Sequence, residues 1–401
     1  MSEHSPTQEE QQLGEFCELI TKGTTPQAYS TKGINFIKVE SISSDGQLIA
    51  SKFAKISEGE NANLKRSQLR SGDILFSIAG TLGRVAAVEE RHLPANTNQA
   101  LAIARLKNDA LDRQYCLQCL TSEKVQLHLK KLQTIGAQPN LSLQQVSQIP
   151  ILVPPLPEQK KIAEILSGID QLIKCTKEKN AKLKVARDAL IQNLREEDTQ
   201  EWVSLSEISD FVTSGSRGWS QFYSDKGARF VRIGNLSRHS IDLDPEPQRW
   251  QLVEPPKGAE GERTRLQEQD ILISITADLG ICCIYSSSLG EAYINQHIAL
   301  VRIDAEHRSY ARQVAYYICS EHCQEQIRSM NDSGAKAGLN LDSIRKVQVP
   351  LIEGGKGNKF VQSIDSLQDA IVRNACQLQQ LAKAKNALSS DLLSGRKRVS
   401  V

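Results

Sequence analysis

Two cysteine pairs, Cys116-x-x-Cys119 and Cys319-x-x-x-Cys323, have the type and spacing that come nearest to metal chemistry. A structural zinc site needs four Cys or His ligands, and no further pair with finger spacing lies near either. The nine cysteines are scattered without a disulfide framework and read as buried helix-face thiols. Gly354-Gly355-Lys356-Gly357-Asn358-Lys359 resembles a phosphate loop but lacks its spacing and the Ser/Thr after lysine, so it reads as a flexible linker. An adenine methyltransferase requires Asn/Asp-Pro-Pro-aromatic, and neither Pro154-Pro155 nor Pro255-Pro256 has those neighbours. A nuclease centre would place carboxylates and a lysine on a strand core, whereas Glu178-Lys179 lies in a helical stretch. The seven histidines form no cluster with cysteine or carboxylate. The expectation is a chain with no catalytic residue and no metal site of its own.

What remains is binding chemistry. Lys22-Gly23-Thr24-Thr25 and Ser214-Gly215-Ser216-Arg217-Gly218-Trp219 occupy corresponding loops. Small hydroxyl residues beside glycine let a backbone approach phosphates, and Arg217 suits a phosphate or a guanine edge. Trp219 reads either as a stacking wedge or as a cover for the core. Lys38 and Arg232 end equivalent strands and read as phosphate contacts or plain surface charges; Arg84, after a glycine turn, reads the same way. Gln138 and Lys336 oppose each other in the two halves as base or phosphate readers. The matched amides Asn98-Gln99 and Asn295-Gln296 suit adenine edges by chemistry. Residues that read sequence should differ between two divergent halves, so an architectural role is favoured for these pairs.

These residues correspond because the chain repeats itself at an interval of about 195 residues. Leu13–Thr24 matches Leu205–Ser216, Phe36–Val39 matches Phe230–Ile233, and Gly72–Ile78 matches Gln269–Ile275. Asn98–Arg105 then matches Asn295–Arg302, and Gly136-Ala137 with Leu141-x-Leu143 matches Gly334-Ala335 with Leu339-x-Leu341. In each copy, short β-branched or aromatic runs bounded by Gly, Asn and Ser read as strands. A helix follows (112–131, 309–329), then a last strand (149–153, 346–351).

Each copy ends in a long helix. In the first, Ile162, Ile165, Ile169, Leu172, Thr176, Lys179, Leu183, Ala186 and Leu190 alternate at spacings of three and four. In the second, Phe360, Ile364, Leu367, Ile371, Asn374, Leu378, Leu381, Lys385, Leu388 and Leu392 do the same. Such seams belong to coiled coils. A helix of about 37 residues is roughly 55 Å long, about one and a half turns of B-DNA at ~34 Å per turn. Two related but non-identical heads at that separation suit an asymmetric, bipartite DNA target.

Composition sets the outer bounds. The 401 residues suggest two or three domains, and 39% apolar with 24% charged residues is the balance of a soluble globular protein. No run is apolar enough for a membrane span and the start is polar and acidic, so the expectation is cytoplasmic. A net charge of +2 leaves nucleic-acid binding to local patches or partner subunits.

The Pro-Pro-Leu-Pro-Glu-Gln-Lys-Lys start of the first long helix, the ending Leu-Leu-Ser-Gly-Arg-Lys-Arg-Val, the duplication and the Leu-x-Glu-[Ile/Phe] domain openings resemble the specificity subunit of type I restriction-modification systems. That resemblance covers nearly the whole chain. It implies an α+β fold of two similar target recognition domains, each followed by a long helix, the helices pairing as an antiparallel coiled coil with pseudo-two-fold symmetry. The expected boundaries are a disordered tail 1–12, a first domain 13–153, a first helix 154–198, a second domain 199–351, and a linker with the second helix 352–401. The family implies double-stranded DNA, two methylation subunits and restriction subunits as partners. S-adenosylmethionine belongs to the methylation partner and ATP with Mg to the restriction partner, with no cofactor on this chain. Ile162, Ile165, Ile169, Leu172, Leu183, Leu190, Ile364, Ile371, Leu378 and Leu388 are the expected seam or subunit-docking residues. One departure is that the second helix lacks a copy of Pro-Leu-Pro-Glu-Gln and starts through glycines, which suggests a different docking angle. The alternatives are a coiled-coil scaffold with protein-binding heads and a recognition subunit of a methylation-only system.

Overall fold

A computed structural model describes residues 9–43, 45–107, 110–133, 140–193, 200–243, 250–256, 258–330, 338–352 and 354–400. The chain divides into two compact units, 1–177 with 376–401, and 178–375.

The first unit begins with β1 (Glu10–Gln12), β2 (Cys17–Lys22), β3 (Ile34–Ile37) and β4 (Ala54–Ile56), followed by α1 (Glu58–Asn63). Next come β5 (Ile74–Ser77), β6 (Val85–Ala87), β7 (Ala95–Thr97) and β8 (Leu101–Leu106). Helices α2 (Arg113–Thr121), α3 (Glu123–Gln133) and α4 (Leu143–Ser147) precede β9 (Pro150–Leu152) and the long α5 (Leu156–Asn193). An antiparallel sheet has the order β2-β8-β5-β6, a smaller one β4-β3-β7, and β1 pairs with β9. Its core joins Leu13, Phe76, Ala102, Tyr115 and Leu120 from the head with Ile162 and Leu166 of the helix.

Residues 10–12, expected in a disordered tail, are instead strand β1, held by Glu10↔Leu152 and Gln11↔Ile151 pairing. The single helix expected over 112–131 is two. Ser122 ends α2, and its hydroxyl accepts from the N–H of Val125 to start α3, because a serine oxygen satisfies a free first-turn donor.

The second unit repeats this plan with β10 (Gln200–Ser204), β11 (Ser209–Ser214), β12 (Tyr223–Ser224), β13 (Ala228–Val231) and β14 (Gln251–Val253), then α6 (Ala259–Thr264). It continues with β15 (Ile271–Ser274), β16 (Cys282–Ile284), β17 (Ala292–Ile294), β18 (Ile298–Ile303), α7 (Ala311–Ile318), α8 (Glu321–Ser329), α9 (Leu341–Arg345), β19 (Gln348–Ile352) and α10 (Gly354–Leu393). The order β11-β18-β15-β16 reproduces β2-β8-β5-β6, β10 pairs with β19, and β13 lies parallel to β17 as β3 does to β7. The predicted second helix is likewise split, with Ser320 capping α8 through the N–H of Cys323.

The glycine run at 354–358 is not a linker: α10 starts at Gly354 and runs through it. Gly357 is required there, because a Cβ would lie 2.4 Å from the Ile352 carbonyl oxygen and 2.8 Å from Gln313 Oε1.

Both long helices contribute to both units. In the first, Lys385 Nζ lies 2.6 Å from Asp170 and Arg398 engages Glu158, so the two helix segments run antiparallel. In the second, Arg187 donates to Gln368 Oε1 at 2.8 Å, and Leu190, Ile191, Phe360 and Ile364 share one core. Ile162, Ile364 and Ile371 are buried, while Ile165, Ile169, Leu183, Leu190, Leu378 and Leu388 are half-buried along the seam. Leu172 is the exception. It is 55% exposed, and the neighbouring Ile173 turns inward instead, because the buried face winds one residue away from the chosen heptad.

The two motifs that mark the sequence meet each other. Glu158, in the proline-led first turn of α5, is buried and accepts from Arg398 Nε at 2.7 Å and Nη2 at 2.5 Å. Gln159 beside it donates to the Pro154 carbonyl at 2.8 Å and accepts from the N–H of Asp112 at 2.7 Å. The proline-Glu-Gln start is therefore a clasp that ties the head, α5 and the chain end together.

Candidate nucleic-acid interface

Each head rests on a buried ion pair that ties the central strands. Arg105 of β8 forks onto Asp73 with Nε–Oδ1 2.6 Å and Nη2–Oδ2 2.7 Å, and the N–H of Arg70 donates to the same carboxylate at 2.8 Å. Arg302 of β18 repeats this on Asp270 at 2.8 and 2.7 Å, with the N–H of Gln267 in place of Arg70. Bidentate geometry of this kind fixes orientation as well as adding energy. At the strand ends, Ser77 and Ser274 each donate to a turn carbonyl (Thr81, Asp278) and accept from an N–H (Arg84, Ile281). These matched residues hold the frame on which the loops diverge.

In the first unit the loop after β2 folds against the turn after β7. The N–H of Gly23 donates to the Leu101 carbonyl at 3.1 Å and that of Thr24 to the Thr97 carbonyl at 3.0 Å. A Cβ on Gly23 would lie 2.1 Å from Asn98 O and 2.2 Å from Thr97 O. Gly215 meets Ile294 O and the Asn295 backbone equally closely. The glycine in both loops therefore serves close approach of the chain to itself. The neighbouring hydroxyls carry a feature that sequence reading missed. Arg66 Nη2 donates to Thr24 Oγ1 at 3.3 Å, and Arg263 Nη2 donates to Ser216 Oγ at 2.6 Å. Both arginines are exposed and follow or end the short helices α1 and α6. Their only signal was a shared Arg after a polar helical run, which periodicity cannot flag.

The amide pairs are architectural at their first residue. Asn98 Oδ1 accepts from the N–H of Ala100 and Asn295 Oδ1 from that of His297, closing equivalent turns. Gln99 instead accepts from the Thr25 hydroxyl, and Gln296 lies 2.9 Å from His297 Nε2. His297, whose Nδ1 pairs with Thr276 Oγ1 at 2.8 Å, lines an open hollow with Arg232, Gly234, Asn235 and Asn295. That histidine stands where the first unit has Ala100.

The other expected contacts separate. Lys22, Thr25, Arg217 and Arg232 are exposed, and Thr24 and Ser216 are half-buried beside their arginines. Lys38 is half-buried, its Nζ 2.6 Å from Glu40 Oε1 and 5.7 Å from the Tyr29 ring centre. That hydrogen bond raises the lysine pKa and lowers the carboxylate's, so the pair stays ionised. Arg84 is half-buried and donates to the Ile42 carbonyl at 2.6 Å, which ties it to its own head. Trp219 is 2% exposed, stacked on Phe230 at 5.1 Å and 9°. The core-cover reading is correct for this residue and the stacking wedge is not, because the ring completes an aromatic cluster with Phe222 and Tyr293. Gln138 and Lys336 lie outside the described residues. Cys116, Cys119 and Cys323 are buried and Cys319 half-buried on the inner faces of their helices.

Residues 7–185 match the family described as type I restriction modification DNA specificity domain. Along 420 aligned residues the chain is 22% identical to the putative type I restriction enzyme MjaX specificity subunit of Methanocaldococcus jannaschii, spanning 98% of this chain and 94% of that one. It is 30% identical over 142 residues to the type I restriction enzyme EcoBI specificity subunit of Escherichia coli, spanning 35% of this chain and 28% of that one. In fold it is similar to the S subunit of a type I restriction-modification system from M. genitalium, with TM-score 0.60 and 14% identity over 98% of both chains. A chain from a solved type I R-M system is similar at TM-score 0.57 and 18% identity, over 98% of this chain and 99% of that one. With the doubled frame and the proline-Glu-Gln clasp, the chain is similar to the specificity subunits of type I restriction-modification systems: residues 7–185 match the DNA specificity domain, and 98% of the chain aligns with a putative specificity subunit.

Proposed function

We propose that the chain reads an asymmetric, bipartite target in double-stranded DNA, one half with each head. The reading is carried by one observation. Both heads bring the same three elements together, a Gly-hydroxyl loop, an arginine bonded to that hydroxyl, and the turn after β7 or β17, yet surround them with different side chains. A common frame with divergent rims is what two related readers of different half-sites require. Exposed Arg217, Arg232 and Arg263 give the second head a cationic rim, and Lys22 and Arg66 give one to the first.

In this reading, two methylation subunits dock on the long helices and supply S-adenosylmethionine chemistry at adenine. Restriction subunits join them with ATP and Mg, and the complex works in the cytoplasm. Among the described residues, no helix is long and apolar enough to cross a membrane. The chain itself positions and does not transform.

The test is methylation mapping by long-read sequencing in a host expressing the chain with its neighbouring methylation subunit. Modified adenine in one gapped, asymmetric motif is expected, and exchange of residues 13–153 for another head should change one half of that motif only. An assembled complex that modifies no motif would instead favour a scaffold with protein-binding heads.

A further inference from the structure

The first unit holds a cavity of about 480 Å³ between its helices and the last turns of α10. Cys119, Lys124 and Leu127 line one side, Leu152 the floor, and Ser390 and Leu393 the other side. Leu127 is 48% exposed there.

The second unit shows the same place with a ring seated on it, Trp202, which is 42% exposed. Gln126 of α3 donates to the Gly83 and Leu120 carbonyls, and Gln324 of α8 to those of Gly280 and Ile318, so these residues correspond. Counting back equally from each, Lys124 corresponds to His322 and Cys119 to Tyr317. The edge strands agree: β1 sets Glu10 opposite Leu152 and β10 sets Trp202 opposite Pro350. In the second unit the Trp202 ring makes edge contacts with Tyr317 at 5.6 Å and His322 at 6.4 Å. In the first, Glu10 pairs with Lys124, and among the described residues none that lines the groove carries an aromatic ring.

We propose that this groove receives a tryptophan side chain of a partner protein, seated as Trp202 is seated in the second unit. The walls suit an indole. Leu127, Leu152 and Leu393 supply apolar contact, and Asn386 and Ser389 on α10 are polar lining residues suited to an N–H that seeks an acceptor when buried. The charges that line the groove balance: Lys124 pairs with Glu10 and Lys385 with Asp170, and Arg396, which shares Asp391 with Lys397, is matched by Glu123. Burial pushes the Cys119 thiol up to about 12, so that wall is uncharged. The choice of a partner subunit as the source rests on the assembly proposed above; the choice of an indole does not.

N-acetyl-L-tryptophanamide is the probe, titrated against the full chain by saturation-transfer NMR. Saturable binding is expected, about tenfold tighter than for N-acetyl-L-leucinamide, in keeping with the weight of tryptophan anchors. Glu10→Trp puts an indole at the Trp202 register on an exposed strand and should abolish binding, whereas Glu10→Ala should retain it. Ser390→Trp closes the groove from the α10 side and should also abolish it. Absence of saturable binding to the wild type, equal binding of the leucine analogue, or binding that survives both tryptophan variants overturns the indole site. The assembled complex with its methylation subunits should no longer bind the probe. If that complex modifies its motif yet binds the probe as the free chain does, the protein occupant is overturned while the DNA reading stands.

Discussion

Arg66 and Arg263 show how little side chain is needed to make a reading loop. Each stretches from a short helical segment to a hydroxyl on the loop after the first sheet strand, Thr24 in one head and Ser216 in the other. A guanidinium has five donors, so the bond of Arg66 to Thr24 leaves donors for phosphate or base, whereas Arg263 also donates to Thr213 Oγ1 and the Ser214 carbonyl and is held more firmly in its loop. Arg232 differs in kind. Its N–H is fixed by Asn235 Oδ1 at 2.9 Å, while its side chain is exposed over the hollow that His297 lines. Arg232→Ala should weaken DNA binding of the assembled complex about equally across sequences and reduce the salt slope by about one; measurement of affinity against salt checks this, and an unchanged slope would return the residue to plain surface charge. At this scale, sequence reading was best at the matched asparagines, whose repetition exposes an architectural need, and it assigned the loop glycines to phosphate approach where they make room for the facing backbone. It did worst where partners lie far apart along the chain. Trp219 was ambiguous because only Phe230 and Tyr293, assembled by the fold, decide that its ring is buried. Arg84 was ambiguous because Ile42, its acceptor, is invisible to local pattern.

At the scale of elements, the long helices were legible in length and nearly so in register. Their seams announce themselves by spacing, yet adjacent Leu172 and Ile173 offer the partner a choice, and only the facing helix makes it. The short helices were less legible, since one apolar period runs through α2 and α3 and the break lies in a single capping serine. The glycine start of α10 misled because glycine signals flexibility in general, while at Gly357 it answers a carbonyl that leaves no room for a Cβ. The clasp of Glu158 with Arg398 has a measurable weight. Glu158 is 5% exposed, so Arg398→Ala would leave a buried carboxylate short of its cation, a loss of about 1–3 kcal/mol. Chemical denaturation should show that loss in the transition of the first unit, with the second unit's transition unmoved.

At the scale of the whole molecule, the first unit is not a continuous stretch of chain, because the second is inserted within it. The first takes 1–177 and 376–401, and the second takes everything between. Leu392 and Leu393, near the chain's end, are buried in the same core as Leu13 and Tyr115. Removal of residues 376–401 should therefore expose the first unit rather than the neighbouring second one. Hydrogen exchange is expected to lose protection in β2, β5 and β8 while β11, β15 and β18 keep theirs. Retained protection in the first unit would mean that its head stands without the returning helix.

That interleaving also bears on the timing of synthesis. Domains made on a ribosome ordinarily finish in the order in which they emerge, the earliest first. Here the second unit has all its residues once position 375 is out, whereas the first still waits for Leu388, Leu392 and Arg398. The head translated first is completed last. A nascent chain released between those points would carry one finished reader and one unfinished reader with an open core, a ready substrate for chaperones and proteases and no competitor to the full-length subunit.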